Sequence, residues 1–200
     1  MKEYSGIKFN AIFLEETIPF FPQINELKKW GKKFSDMNFI PHYKNEKEPD
    51  RLSSAGNLSS RNNNGFVITA SYSDLANLRE IDFVEVKKVD LNQKKIWING
   101  QKEPSSETML HYAIYQERND VNAIFHGHSN KLLNNYKKLR LISTKYEADY
   151  GSIELINSVM EVLKNENFLI IKNHGFLSFG NTIEQAGNEI MNINIRLRNI

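Results

Sequence analysis

Residues 56–69 read Gly-Asn-Leu-Ser-Ser-Arg-Asn-Asn-Asn-Gly-Phe-Val-Ile-Thr. The run Asn62-Asn63-Asn64-Gly65 is a turn signal, because asparagine and glycine tolerate the positive φ that a tight hairpin demands. Short β-type runs flank it at 56–60 and 66–69, so the stretch is expected to fold as an antiparallel hairpin. A second hairpin is expected from 82–89 and 94–98, turning at Asn92 and Gln93. Two hairpins in succession exclude an all-parallel sheet, which needs a crossover between every pair of strands.

Working outward, apolar residues at helical spacing mark a helix after Pro22 (Ile24, Leu27, Trp30, Phe34, Met37), which Pro41 stops. The polar stretch 42–51 reads as a surface loop, and 8–21 matches neither period. Pro104-Ser105-Ser106-Glu107 reads as a helix start with a serine cap and an acid in the first turn, the helix continuing to about Arg118. Strands are expected at 121–126, 139–143, 168–171 and 176–179, and helices at 152–165 and 183–197. The expected class is α/β, a mixed or antiparallel sheet flanked by helices. At 200 residues one domain is expected, with 1–50 an extension carrying one helix.

The chain has no cysteine and five histidines. That excludes a disulfide framework, thiolate metal sites and thiol catalysis, and leaves His, Asp and Glu as the strong metal ligands. The 26 basic and 24 acidic residues nearly balance, and the Lys28, Lys29, Lys32, Lys33 cluster reads as a solvated helix face rather than a nucleic-acid surface. No apolar run is long enough to cross a membrane and no leader pattern opens the chain, so a cytoplasmic location is expected.

His126-Gly127-His128 closes the strand expected at 121–126. Alternate residues of a strand share a face, so the two imidazoles project together, roughly 7 Å apart along it. A His-x-His pair arises by chance in roughly one chain in eight of this histidine content, so the pair alone does not make a metal site. His174, in a turn between two expected strands, would complete three ligands with an open position, the arrangement of a catalytic metal. Glu107 can be a helix-capping carboxylate or a general base beside that metal. His111, one turn further on, shares its face and reads as packing or support. His42 reads as surface. Ser54–Asn57, Thr69-Ala70-Ser71 and Ser105-Ser106 together could cradle a phosphate through N–H and O–H donors.

Taken in order, Ser-Ala-Gly-Asn-Leu-Ser (54–59), Val-Ile-Thr-Ala-Ser (67–71), Pro-Ser-Ser-Glu (104–107), His-Gly-His-Ser (126–129), Tyr-Gly-Ser-Ile-Glu-Leu (150–155) and Asn-His-Gly (173–175) resemble the class II aldolase/adducin family. The resemblance implies α/β/α layers around a largely antiparallel sheet and a homo-oligomer, often a tetramer. It implies Zn2+, or another divalent ion such as Mn2+, Co2+ or Fe2+, on His126, His128 and His174. Glu107 would move the proton, and Gly56, Asn57, Ser71, Ser105 and Ser106 would bind a substrate phosphate. The implied activity is that of a lyase acting next to a carbonyl in a small hydroxylated, sugar-like substrate. Epimerase or dehydratase chemistry on the same site, or an adducin-like interaction module, are the alternatives. Two features depart from the family pattern. Ala70 and Tyr72 stand where its phosphate loop has proline and glycine, and the stretch from His128 to His174 is short.

Overall fold

The two hairpins form the middle of an eight-stranded sheet. The structure, a computed structural model, describes residues 7–45 and 47–200. In chain order its elements are β1 (Asn10–Glu15), α1 (Ile24–Asp36), β2 (His42–Lys44), β3 (Leu52–Ser54), β4 (Gly56–Asn62), β5 (Gly65–Thr69), β6 (Phe83–Asp90), β7 (Lys95–Asn99), α2 (Thr108–Glu117), β8 (Ala123–Gly127), α3 (Asn130–Asn135), α4 (Ile153–Leu163), β9 (Phe168–Ile171), β10 (Gly175–Gly180) and α5 (Ile183–Arg198). The strand order is β1-β7-β6-β5-β4-β8-β10-β9, antiparallel throughout except for the parallel β1–β7 pair. This is the mixed α/β sheet flanked by helices that the hairpins imply.

Both faces of the sheet are buried, and the two-residue period of each strand divides its side chains between them. Leu58, Val67, Phe83, Phe125, Ile170 and Phe176 pack with α1 and α5. Ile68, Val84, Ile98, Ile124, Leu169 and Leu177 pack with α2 and α4. Parity along β8 therefore carries Ile124, His126 and His128 to the α2 side, which settles which helix meets the histidines. Hydroxyl caps start α4 and α5: Ser152 Oγ accepts from Leu155 N, and Thr182 Oγ1 from Gln185 N, both at 3.0 Å.

Four local expectations change. Residues 10–15, unassigned from sequence, form an edge strand whose parallel partner β7 lies far along the chain. The 42–51 loop is instead the stem of a two-stranded ribbon, β2 pairing with β3, and His42 Nδ1 in it sits 3.2 Å from Ser54 Oγ. Residues 139–143 are not a strand: one bridge, Ser143 to Ile170, is all that joins them to the sheet. A short helix, α3, follows β8 where only the strand's end was expected, capped by Ser129.

The ribbon is held by a buried charge cluster. Asp82, fully buried ahead of β6, accepts from Arg79 N at 2.9 Å, Lys102 Nζ at 3.0 Å and Arg51 Nη1 at 3.4 Å. Burial pushes its carboxyl up, but the hydrogen bonds from Arg79 and Lys102 outweigh it and hold the pKa at about 2. A folded-state pKa below the unfolded one means stability that is present above about pH 4 and is lost as pH falls towards 2. We expect Asp82→Asn to cost about 2 kcal/mol at neutral pH. Acid unfolding monitored by circular dichroism should then show a shallower loss between pH 4 and 2 than in the parent.

Candidate active site

The site begins at the end of β8. His126 Nδ1 donates to the Phe176 carbonyl across the β8–β10 pair at 2.9 Å. That bond leaves the other nitrogen of a neutral ring, Nε2, with its lone pair, and Nε2 lies 2.9 Å from His128 Nε2. His174 arrives from the β9–β10 turn. Asn173 takes the left-handed conformation there (φ 57), which asparagine tolerates, and His174 N donates to Ile171 O at 3.0 Å. Gly175 must be glycine for space: a Cβ there would lie 2.4 Å from Gly127 O and within about 3 Å of both His126 and His128 rings. The three imidazoles stand edge to face, with centroids 4.8–5.1 Å apart, and one nitrogen from each falls within 4.8 Å of the others.

Glu107 is the cap residue of α2 rather than part of its first turn, and no serine side chain caps the helix. The bridge between Ala70 and Pro104 places it. Ser105 N donates to Thr69 O and Ser71 N to Glu103 O, so the end of β5 holds the start of α2 in place. The carboxylate is buried, 3 % exposed. Its Oε2 accepts from Asn57 Nδ2 at 3.2 Å and lies 3.1 Å from His126 Nε2, while Oε1 lies 3.5 Å from His174 Nε2.

These residues surround one cavity of about 410 Å³. All nine residues singled out from sequence line it: Gly56, Asn57, Ser71, Ser105, Ser106, Glu107, His126, His128 and His174. Their hydroxyls are not equivalent. Ser71 Oγ donates to Pro104 O at 2.9 Å, whereas Ser105 Oγ accepts from Glu107 N at 3.4 Å and keeps its proton for another acceptor. Tyr72 also lines the cavity, with φ 61. It thus holds the left-handed conformation that glycine adopts most readily, here with a side chain added. Asn45 Nδ2 and Ser53 Oγ both donate to the Tyr72 carbonyl, tying the ribbon to that loop.

Sequence reasoning missed Tyr43 and Lys44 of β2, and Glu147 and Asp149, all of which line the cavity. No periodicity marks them, since they lie in a short ribbon and a turn. Tyr150 lines the cavity as well, while Tyr146 is 68 % exposed and Tyr136 packs against the core.

The donor set fits a divalent metal. Burial first, then the neighbouring imidazoles, hold His126 and His128 well below the ordinary histidine range. The His126 and His128 rings are thus neutral, and Glu107 Oε1 beside them is buried without a hydrogen-bond partner among the described residues. Neutral imidazole nitrogens with an orienting carbonyl behind one of them form a ligand set for a borderline cation. Among the described residues no helix is long and apolar enough to cross a membrane.

Comparison with known proteins agrees with this geometry. Residues 52–195 match the family model for the class II aldolase and adducin N-terminal domain. The chain is 36% identical over 149 residues to an L-fuculose phosphate aldolase of Methanococcus maripaludis, covering 68% of this chain and 78% of that protein. It is 34% identical over 106 residues to a methylthioribulose-1-phosphate dehydratase of Pseudoalteromonas translucida, covering 53% of this chain and 43% of that one. A solved L-fuculose 1-phosphate aldolase superposes with a TM-score of 0.70 at 23% identity, over 91% of this chain and 86% of its own. The chain belongs to the class II aldolase and adducin family.

Proposed function

We propose that this protein is a metal-dependent lyase of the aldolase type, cleaving or forming a C–C bond next to the carbonyl of a small sugar phosphate. The observation that carries the reading is the buried Glu107 carboxylate within 3.1–3.5 Å of two of three converging imidazoles. His126, His128 and His174 would hold the metal. A bound divalent cation supplies Lewis acidity, drawing electron density from a substrate carbonyl and its neighbouring hydroxyl. Glu107 removes the proton from the carbon next to the carbonyl in the synthetic direction and returns it there after cleavage. Asn57 Nδ2 holds the carboxylate in place for that transfer. Ser105 and Ser106, with Gly56 shaping the loop and Ser71 bracing it, form the end of the cavity suited to an anion, and Lys44 adds a positive charge to the cavity wall.

Metal analysis of the purified protein, followed by a retro-aldol screen over phosphorylated and unphosphorylated ketoses, tests this. Turnover of phosphorylated ketoses to two carbonyl fragments is the expected result; bound metal with no cleavage of any ketose overturns it. Tyr72→Gly refines the outcome. If the Tyr72 ring narrows the anion end, the variant lowers KM for the phosphorylated substrates about 10-fold and leaves unphosphorylated ones unchanged.

The dehydratase relative favours a second reading on the same residues, in which Glu107 takes the same proton and a hydroxyl leaves instead of a carbon fragment. Loss of water in place of fragmentation in the same screen selects it. Zinc as the metal, a homo-oligomeric state and a cytoplasmic location belong to this proposal on the family resemblance, and metal analysis and light scattering on the purified protein test the first two.

A further inference from the structure

Among the buried side-chain polar atoms without a hydrogen-bond partner in the described residues are Asn57 Oδ1, Glu107 Oε1 and His111 Nε2. They are neighbours. Asn57 and Glu107 are joined by their 3.2 Å bond, and His111 N donates to the carbonyl of the cap residue Glu107 at 3.1 Å, which sets the His111 ring one turn beyond it and within reach of its charge. The far side of the His111 ring is tied down: Nδ1 lies 2.8 Å from Ser59 Oγ, which lies 2.7 Å from Tyr115 Oη. All three of these side chains are fully buried or nearly so.

Proton counting gives this chain a direction. Ser59 Oγ is the one hydrogen-bond partner of the Tyr115 hydroxyl among the described residues, and burial raises the phenol's pKa and keeps it protonated. Tyr115 must therefore donate to Ser59, since the reverse arrangement buries a phenol proton with no acceptor. Ser59 then donates to His111 Nδ1, which has to be the lone-pair nitrogen. Burial, offset in part by the Glu107 carboxylate, pulls His111 down to about 4, so the ring is neutral. Its single proton sits on Nε2.

We propose that His111 is a positioning residue for Glu107: its Nε2–H, aimed by Ser59 and Tyr115, holds the carboxylate through one ordered water. A water that accepts from Nε2–H and donates to Glu107 Oε1 and Asn57 Oδ1 satisfies all three unpartnered atoms at once, with the three bonds usual for a buried water. Both carboxylate oxygens are then fixed, Oε2 by Asn57 and Oε1 by the water, and the remaining lone pairs face the cavity. The inference rests on the reading of Glu107 as the base.

Two measurements test it separately from that reading. Nitrogen NMR of histidine-labelled protein, with the His111 signals assigned by their loss in His111→Gln, is expected to show a neutral ring protonated on Nε2. A ring protonated on Nδ1 overturns the proposal. In kinetics, His111→Phe is expected to lower kcat about 10-fold or more with KM changed less than about 2-fold. His111→Gln, which returns an amide N–H at that end, is expected to recover most of the loss. Parent kcat in the phenylalanine variant, or no recovery in a folded glutamine variant, overturns the proposal. Should the phenylalanine variant not fold, Ser59→Ala replaces it, with the same expected loss and a mixed His111 tautomer. Glu107→Gln run alongside separates the two ideas. Parent-like turnover there sinks the base assignment, while the NMR result still reports on His111.

Discussion

Glu107→Gln is expected to lower kcat by about three orders of magnitude while leaving bound metal and melting temperature close to the parent's. Glutamine fills the same buried space, and its carbonyl can still accept the 3.2 Å bond from Asn57 Nδ2, so nothing in the packing is lost. What disappears is the basic lone pair that takes the proton. The effect should fall on kcat, because the side chain works on the reacting carbon rather than on the ends of the substrate. Hydrogen–deuterium exchange at the carbon next to the carbonyl should stop together with turnover. Retention of that exchange at the parent's rate, with metal bound, would assign the proton transfer to another group, Tyr43 and Tyr150 being among the titratable side chains on the cavity wall.

The second large effect belongs to the histidines. In the parent, a divalent metal at 1,000 times its Kd should stabilise the fold by about 4 kcal/mol, or roughly 8–16 °C of melting temperature for a chain of this size. His126→Ala and His128→Ala should each abolish that rise and bring turnover to background, since each leaves two imidazoles where three converge. Calorimetric scans with and without added zinc read the stabilisation directly. His174→Ala should behave alike, although its ring comes from a different part of the chain. A variant that kept the full rise would not be removing a ligand. The comparison also separates a ligand's role from a packing role, because a cavity left by alanine lowers the melting temperature with or without metal.

How much of this was legible in the sequence depended on how local each cause is. The Asn62–Gly65 turn is written in residues that accept positive φ, and the hairpin formed where they predict. The helices at α4 and α5 are written in apolar spacing and in Ser152 and Thr182, whose hydroxyls cap them. The edge strand β1 was not legible, since most of its residues are exposed or half-buried and its partner is distant, so no alternation marks it. The β2–β3 ribbon hid for a related reason: its anchor is the Asp82 cluster, whose partners Glu48, Arg51, Arg79 and Lys102 come from scattered positions. Residues 139–143 look like a strand because they are apolar in part, yet they meet the sheet at a single bridge.

At the site the same division holds. His126 and His128 share a face because side chains alternate on any strand, and the helical repeat sets His111 over Glu107. Those relations follow from the chain's own periods, and the absence of cysteine narrows the ligands to imidazole and carboxylate. The tertiary structure decided the rest: that the face carrying the histidines looks towards α2, that the β9–β10 turn delivers His174 to it, and that Asn57 reaches Glu107. It also decided that Ser59 of β4 meets His111 and Tyr115. The physical reason is burial. Spacing along a chain determines which side chains point together, but only packing the two layers on the sheet removes water around them. Without water, a carboxylate oxygen, a phenol proton and three imidazole lone pairs must find partners in each other or in a metal.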